Sequence, residues 1–452
     1  MSSLLKPFTL SVTYRLALYV PKAVFCLMMI FGLAACKETS ENTDDYQLTD
    51  AESAYVPQAF DFDADIEDAF IADRLPRIDS AIMRAVDSHL LPNCVTFVAH
   101  HGRVVHYKAY GWRDVENRVP CQKDDIFRIA SQTKAVCVVA FMTLFEEGRV
   151  LLDEPVKKYI PQFANPQVLT KYNAKTKKYS TRPAKRDITI RDLITHTSGL
   201  CYDGVFEEIC SQKGVYPHLS QDSITLQQNA ERMAQMPLAH DPGEAFTYSM
   251  NIDVIGALCE IISGQDINTF LHERVLDPLG MTQTWFYLPD DKVDRLVKLY
   301  KYTKSQGLQL SDVEKLQSFP YSGAKMLYST GAGLCGTIED YAKFCQMILN
   351  GGEFNHHRIL GRKTLEMMQK NGVGNMRGEI GFGMAWDVFT SENAHNTILS
   401  EGSMRWGGMF GTDYVIDPQE DLILLMYTNC MPNYSGLNPK TLLHNVVYQS
   451  LR

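Results

Sequence analysis

Several signatures of large enzyme classes are missing from this chain. It has no G-x-S-x-G elbow, no Gly-rich loop ending in G-K-[ST], no H-E-x-x-H and no C-x-x-C pair. These absences argue against an elbow-type serine nucleophile, a phosphate-cradling P-loop, a zincin helix and a cysteine zinc site. Long basic tracts are also absent. With 44 Lys and Arg against 53 Asp and Glu, the formal net charge is −9, a poor basis for binding nucleic acid. No period of 20–50 residues repeats. What remains is ordinary globular composition, 45% hydrophobic and 21% charged over 452 residues, enough for one large domain or two lobes.

The N-terminus reads as a targeting segment. Lys6, Arg15 and Lys22 precede Ala23–Ala35, an apolar run of 13 residues that is short for a membrane span and suited to a signal h-region. It ends in Leu33-Ala34-Ala35-Cys36, which resembles a bacterial lipobox. That resemblance implies cleavage before Cys36, lipidation of its thiol, and a membrane anchor facing the periplasm, with Lys37 leaning toward the outer membrane. An ordinary cleaved signal and an uncleaved anchor are the alternatives. Removing residues 1–35 takes away three positive charges and deepens the net charge to −12. Residues 36–65, polar and acidic without hydrophobic periodicity, are expected to form a flexible tether. Nine further cysteines follow Cys36. Cys201 and Cys210 flank a loop and Cys94 and Cys121 bracket a hairpin, but no pairing can be read from spacing.

Hydrophobic periodicity divides the rest. Residues 66–90 carry helical spacing broken early by Pro76. Val95–Ala99 and Val104–Tyr110 are strand-like and joined through His101-Gly102-Arg103, a hairpin signal. Helical patterns dominate from Ser131 to about Glu260 and from Thr337 to Asn350. Strand character returns at Met384–Phe389, Thr412–Ile416 and Leu422–Thr428. The last segment, 439–451, puts Leu442, Leu443, Val446 and Val447 on one helical face. The economical architecture is one sheet built from both ends of the chain (about 66–130 and 340–452), covered by terminal helices, with an all-helical lobe (about 131–339) inserted. Lys171–Arg186, with seven basic residues, reads as a solvated excursion.

Three S-x-x-K matches occur: Ser3–Lys6 in the signal, Ser322–Lys325 in a loop, and Ser131–Lys134. Only Ser131 opens an apolar helical run. Positions i and i+3 share a helix face, so Lys134 can reach the Ser131 hydroxyl. Serine is a weak nucleophile that needs such a base, and a helix N-terminus favours developing negative charge.

At these residues the chain resembles the serine β-lactamase-like hydrolases, which include penicillin-binding proteins and class C β-lactamases, and most of all the family VIII carboxylesterases. The resemblance spans about residues 93–430. It is carried by Phe127-Arg-Ile-Ala-Ser131-Gln-Thr-Lys134, Glu147-Gly-Arg-Val150 with Leu152-Asp153, Ile188–Leu200 (containing His196-Thr-Ser-Gly199), Pro242-Gly-Glu244 leading to Tyr248-Ser249, Gly331-Ala-Gly-Leu334, and Trp406-Gly-Gly-Met409. It implies an α/β β-lactamase/transpeptidase-like fold, with Tyr248 as general base or proton relay beside Lys134. It also implies an oxyanion hole made by the backbone N–H groups of Ser131 and Met409. No metal or organic cofactor is implied.

Two departures choose the subfamily. The β-lactamase Tyr-x-Asn is not met, because Met250 holds the third position and Asn251 falls one place late. Trp406-Gly407-Gly408 stands where β-lactamases carry Lys-Thr-Gly, replacing a charge and a hydroxyl with a flat apolar face and one N–H donor. A substrate-binding Trp406, Gly407 and Gly408 would favour neutral acyl groups over substrates bearing a carboxylate. The expected function is therefore a serine carboxylesterase acting on small esters. A β-lactamase or D-amino-acid peptidase, and a non-catalytic envelope lipoprotein, are the rivals. His196 is expected to be a structural loop or cap residue, and His100, His101 and His106 are not expected to bind metal. Oligomeric state is not legible.

Overall fold

The computed structural model describes residues 56–65, 69–392 and 394–452. The signal segment, Cys36 and the tether up to residue 55 lie outside the described residues. Five helices and twelve strands suffice to place the site. The helices are α1 (Pro76–Asp87), α2 (Thr133–Glu146), α3 (Asn251–Ser263), α4 (Ile338–Leu349) and α5 (Pro439–Tyr448). The strands are β1 (Asn93–His100), β2 (Arg103–Asp114), β3 (Val119–Pro120), β4 (Gln167–Asn173), β5 (Lys178–Pro183), β6 (Tyr300–Thr303), β7 (Gly307–Leu310), β8 (Gly381–Phe382), β9 (Asp387–Val388), β10 (Met404–Gly407), β11 (Asp413–Asp417) and β12 (Leu422–Tyr427).

Eight of these strands form one antiparallel sheet in the order β8-β9-β10-β11-β12-β1-β2-β3. Both ends of the chain meet where β12 pairs with β1, Phe97 opposite Leu425. The sheet is buried on both faces. Val95, Phe97, Ile423, Leu425 and Tyr427 point to the main core with α2 and α4, while Val98, Leu422, Leu424 and Met426 meet α1 and α5 on the other side. Covering on both faces explains why Leu422–Tyr427 is an unbroken apolar run in an antiparallel sheet.

α1 starts with Pro76 in its first turn, where the missing N–H costs nothing, and buries Ile78, Ile82 and Ala85 on one stripe. α5 likewise has Pro439 at its start and buries Leu443 and Val447, with Asn438 capping through the Thr441 N–H. The β1–β2 turn is His101-Gly102, both at positive φ, as a two-residue hairpin turn demands.

Two expectations need correction. Residues 56–65, assigned to the tether, pack on the body: Asp61 bridges Arg103, and Phe60 stacks on Phe97 at 5.0 Å and Phe354 at 5.4 Å. Burying an aromatic ring outweighs the acidic composition around it. The inserted lobe is also not all helical. It carries the β4–β5 hairpin, with Tyr172 opposite Tyr179, and the β6–β7 hairpin. The latter returns to the sheet lobe, where Tyr300 pairs in parallel with Cys430. These strands are short and rich in Tyr and Thr, so β-propensity and cross-strand pairing prevail without a long periodic signal. The lobe's centre is nonetheless helical. α2 is apolar all round and buried along its length, packed against α3. The nine described cysteines are buried free thiols.

Candidate active site

Ser131 sits in a 3-10 turn (Ala130–Gln132) that runs directly into α2. Ala130 before it has φ of +45°, a left-handed conformation that an L-residue adopts only when its surroundings impose it. The kink presents Ser131 at the surface of a cleft of about 370 Å³ while its neighbours stay buried. Lys134, one turn on, places Nζ 3.4 Å from Ser131 Oγ and donates to the Gly331 carbonyl at 2.7 Å. The first contact is long for a hydrogen bond and the second is short, so the backbone carbonyl holds the lysine nitrogen and the serine lies within its reach.

Tyr248 precedes α3 and lines the same cleft. Lys134 Nζ stands over its ring, 4.7 Å from the centroid, rather than at its hydroxyl. That hydroxyl is buried and has no hydrogen-bond partner among the described residues. The ring is wedged between Trp406 at 5.1 Å and His196 at 4.6 Å. His196 is thus structural, as expected, but it touches the site. Its Nδ1 accepts from the Ser249 N–H (3.3 Å) and faces Asn251 Nδ2 (2.8 Å), which leaves the neutral ring's proton on Nε2. Burial, then Lys134 and Arg377, hold the imidazole far below its usual pKa. Asn251 is committed elsewhere, accepting from Ser198 Oγ at 2.5 Å, and does not stand in for the Tyr-x-Asn asparagine.

The third wall is the loop between β10 and β11. Gly408 cannot carry a side chain there, because a Cβ would lie 2.3 Å from the Ile129 carbonyl and 2.4 Å from Thr412 Oγ1. This close approach brings the loop against the segment that precedes Ser131. The Gly408 N–H is taken by the Thr412 carbonyl at 2.9 Å, whereas the Met409 N–H has no backbone acceptor among the described residues. Of the two, only the Gly408 N–H is committed to a backbone acceptor. Trp406, Gly407, Gly408 and Met409 all line the cleft with Ser131 and Tyr248, so the structure brings together every residue the sequence singled out from Ser131 onward.

Asp387, Arg405, Asp413 and Lys440 complete the lining and were not legible as site residues. Arg377 pairs with Asp387, and Arg405 (3.2 Å), His444 (3.0 Å) and Lys440 (3.7 Å) converge on buried Asp413. Burial pushes the Asp413 carboxyl up, but Arg405, the hydrogen bond from His444 and Lys440 outweigh it and hold it below the usual carboxylate range. Lys440 comes from α5, more than 300 residues from Ser131, and nothing local marks it. Asp253 was also missed. It is the lone charged residue in the apolar run that opens α3, a signal that could have been found. A larger cavity of about 590 Å³ beside Arg113, Arg128 and Lys298 contains no serine or cysteine. No group of His, Cys, Asp or Glu able to hold a metal occurs among the described residues.

The chain is similar to known proteins over most of its length. A protein of Mycobacterium tuberculosis with no assigned function is 31% identical, over 79% of this chain and 90% of its own length. Esterase EstB of Burkholderia gladioli is 28% identical over 87% of this chain and 98% of its length. Among solved structures, EstCE1, described as a hydrolase with promiscuous acyltransferase activity, superposes with a TM-score of 0.69. It is 28% identical and covers 83% of this chain and 99% of its own. The Beta-lactamase family profile matches residues 78–446, so a fold of antiparallel sheet, terminal helices and inserted lobe goes with its sequence: the chain belongs to the Beta-lactamase family.

Proposed function

We propose that this protein is a carboxylesterase that works through an acyl-enzyme on Ser131. Ser131 Oγ attacks the ester carbonyl as its proton passes to Lys134 in its neutral amine form, the base within reach of it. The carbonyl oxygen becomes an oxyanion received by the N–H groups of Ser131 and Met409. The C–O bond to the alcohol breaks, and the alkoxide takes a proton relayed from Lys134, with the unpartnered Tyr248 hydroxyl placed to assist. Water then adds to the acyl carbonyl, the acid leaves, and Ser131 regains its proton. The residues need no metal or organic cofactor for these steps.

The observation that carries the ester reading is Trp406 packed on Tyr248 at 5.1 Å, an apolar face where the β-lactamase pattern would supply a lysine. The cations that do reach the cleft are tied to Asp387 and Asp413, which leaves little free charge for a substrate carboxylate. EstB and EstCE1 are named for esterase and hydrolase activity and align along nearly their whole lengths.

The test is hydrolysis of a short-chain nitrophenyl ester against a chromogenic cephalosporin. Ester turnover is expected to dominate and to fall by about 10³-fold or more in Ser131→Ala. Cephalosporin turnover equal to ester turnover would replace the esterase reading with a β-lactamase one, and turnover of neither would favour a peptidase or a binding role. We also propose that Cys36 is lipidated and holds the enzyme at the bacterial envelope, facing the periplasm. Metabolic labelling with an alkyne fatty acid, compared with Cys36→Ser, tests it.

A further inference from the structure

Lys134 is nearly buried at 6% exposure, and among the described residues no carboxylate lies within 4 Å of its Nζ. The ammonium that forms when Lys134 takes the Ser131 proton would be a buried cation, which is expensive without a compensating charge, so the surroundings must supply one at longer range. Asp253 is the candidate. It lies in the first turn of α3, five residues after Tyr248, and is 2% exposed. It too has no ion-pair partner among the described residues. Its Oδ1 accepts from Ser329 Oγ–H at 3.0 Å and the Gly331 N–H at 3.1 Å, and the Thr330 N–H also points to it. Gly331 is the residue whose carbonyl receives Lys134 Nζ. A Cβ at Gly331 would sit 2.8 Å from Asp253 Oδ2, so glycine lets the turn close on the carboxylate. Thr330 Oγ1 donates to the Ile252 carbonyl at 2.6 Å and completes the stitch.

We propose, building on the esterase reading, that Asp253 is a positioning residue: the buried counter-charge that holds Lys134 against Ser131 through the turn at Gly331. One carboxylate thereby ties the helix that follows Tyr248 to the carbonyl that orients the base. Burial raises its own pKa to about 6, partly offset by Lys134 and the three donors. The other titratable groups that feel it are Cys137 on the same face of α2 as Lys134, and Tyr202 after the His196–Gly199 turn. Protonation of Asp253 below about pH 6 removes the counter-charge, so the arrangement is complete only above that value.

Asp253→Asn keeps the shape and an acceptor oxygen for the turn but removes the charge. For a nitrophenyl ester, kcat is expected to fall about 10- to 100-fold, with KM changed less than about 3-fold. The fall in kcat between pH 7 and 5 that the parent shows should disappear in the variant. Ser329→Ala, which removes one donor and leaves the carboxylate, should keep the fall in kcat toward low pH, with its midpoint moved to higher pH. An Asn variant with the parent's kcat and pH profile would overturn the proposal. So would a loss of activity that merely follows a loss of folded protein, measured by thermal melting, with the profile unchanged. A second readout needs no turnover: acetylation of Lys134 by acetic anhydride, followed by peptide mass. The reaction should be several-fold faster in Asp253→Asn, and equal rates would overturn the proposal. If the parent hydrolyses no ester, the esterase reading fails while the acetylation still decides the role of Asp253.

Discussion

Single atoms decide most of the chemistry. The Tyr248 hydroxyl is buried without a partner, a state that costs stability unless a substrate or water completes it. Tyr248→Phe keeps the ring between His196 and Trp406 and removes the orphan. It should leave the melting temperature unchanged or slightly raised, while kcat falls about 10²-fold. Melting curves beside steady-state rates separate the two effects, and a large loss of stability would mean that the hydroxyl is bonded after all. Gly408 is constrained in the opposite sense. Gly408→Ala would drive a Cβ into the Ile129 carbonyl and push the loop that carries Met409 away from the segment preceding Ser131. Activity should drop while the rest of the sheet persists, which circular dichroism and ester turnover would check together. Residues also show why the site was only partly readable. Ser131, Lys134 and Tyr248 sit in local blocks with chemical meaning at short spacing. Lys440 and Asp387 reach the cleft only because the chain folds back, and no local pattern announces that.

Among elements, the terminal helices and the strand pairing set what is rigid. α1 and α5 cover the outer face of the sheet, and Leu443 is fully buried in that layer. Leu443→Ala should cost about 2–5 kcal/mol of stability, read as a lower urea midpoint, while kcat/KM of the folded enzyme stays near the parent value. α5 contributes more than cover, since Lys440 and His444 bind Asp413 at the end of β11. Asp413 is held below its ordinary pKa in the folded state, so its ionisation stabilises the fold above about pH 4. That contribution is lost as pH falls through the lower, folded value. Asp413→Asn should therefore show a weaker dependence of the urea midpoint on pH below 4 than the parent, and identical dependence would remove Asp413 from the account. The helical reading of the middle segment failed at β4–β5 and β6–β7 because short hairpins draw stability from cross-strand partners such as Tyr172 and Tyr179. Periodicity along one strand does not see those partners.

For the whole molecule, two distant stretches of chain make one sheet, and everything else is arranged around that closure. β1 and β12 pair across more than 300 residues, and the segment at 56–65 wraps beneath them through Pro57, Phe60 and Asp61. Removing residues 56–65 as well as everything before them should lower the melting temperature by several degrees relative to a chain that starts at 56, with the ester site intact. Equal melting temperatures would return that segment to the role of a tether. The sequence by itself determined the sheet, its covering helices and the placing of Lys134 beside Ser131, because apolar periodicity and an i, i+3 spacing are local properties of the chain. Only the tertiary structure decided that the Thr412 carbonyl takes the Gly408 N–H, while the Met409 N–H has no backbone acceptor among the described residues. It also decided that Lys134 Nζ lies over the Tyr248 ring, that Lys440 lines the cleft, and that Asp253 lies buried against the turn at Gly331. Those outcomes depend on which backbone groups are already paired and which charges are brought together from far apart, and neither is encoded by a residue's neighbours along the chain.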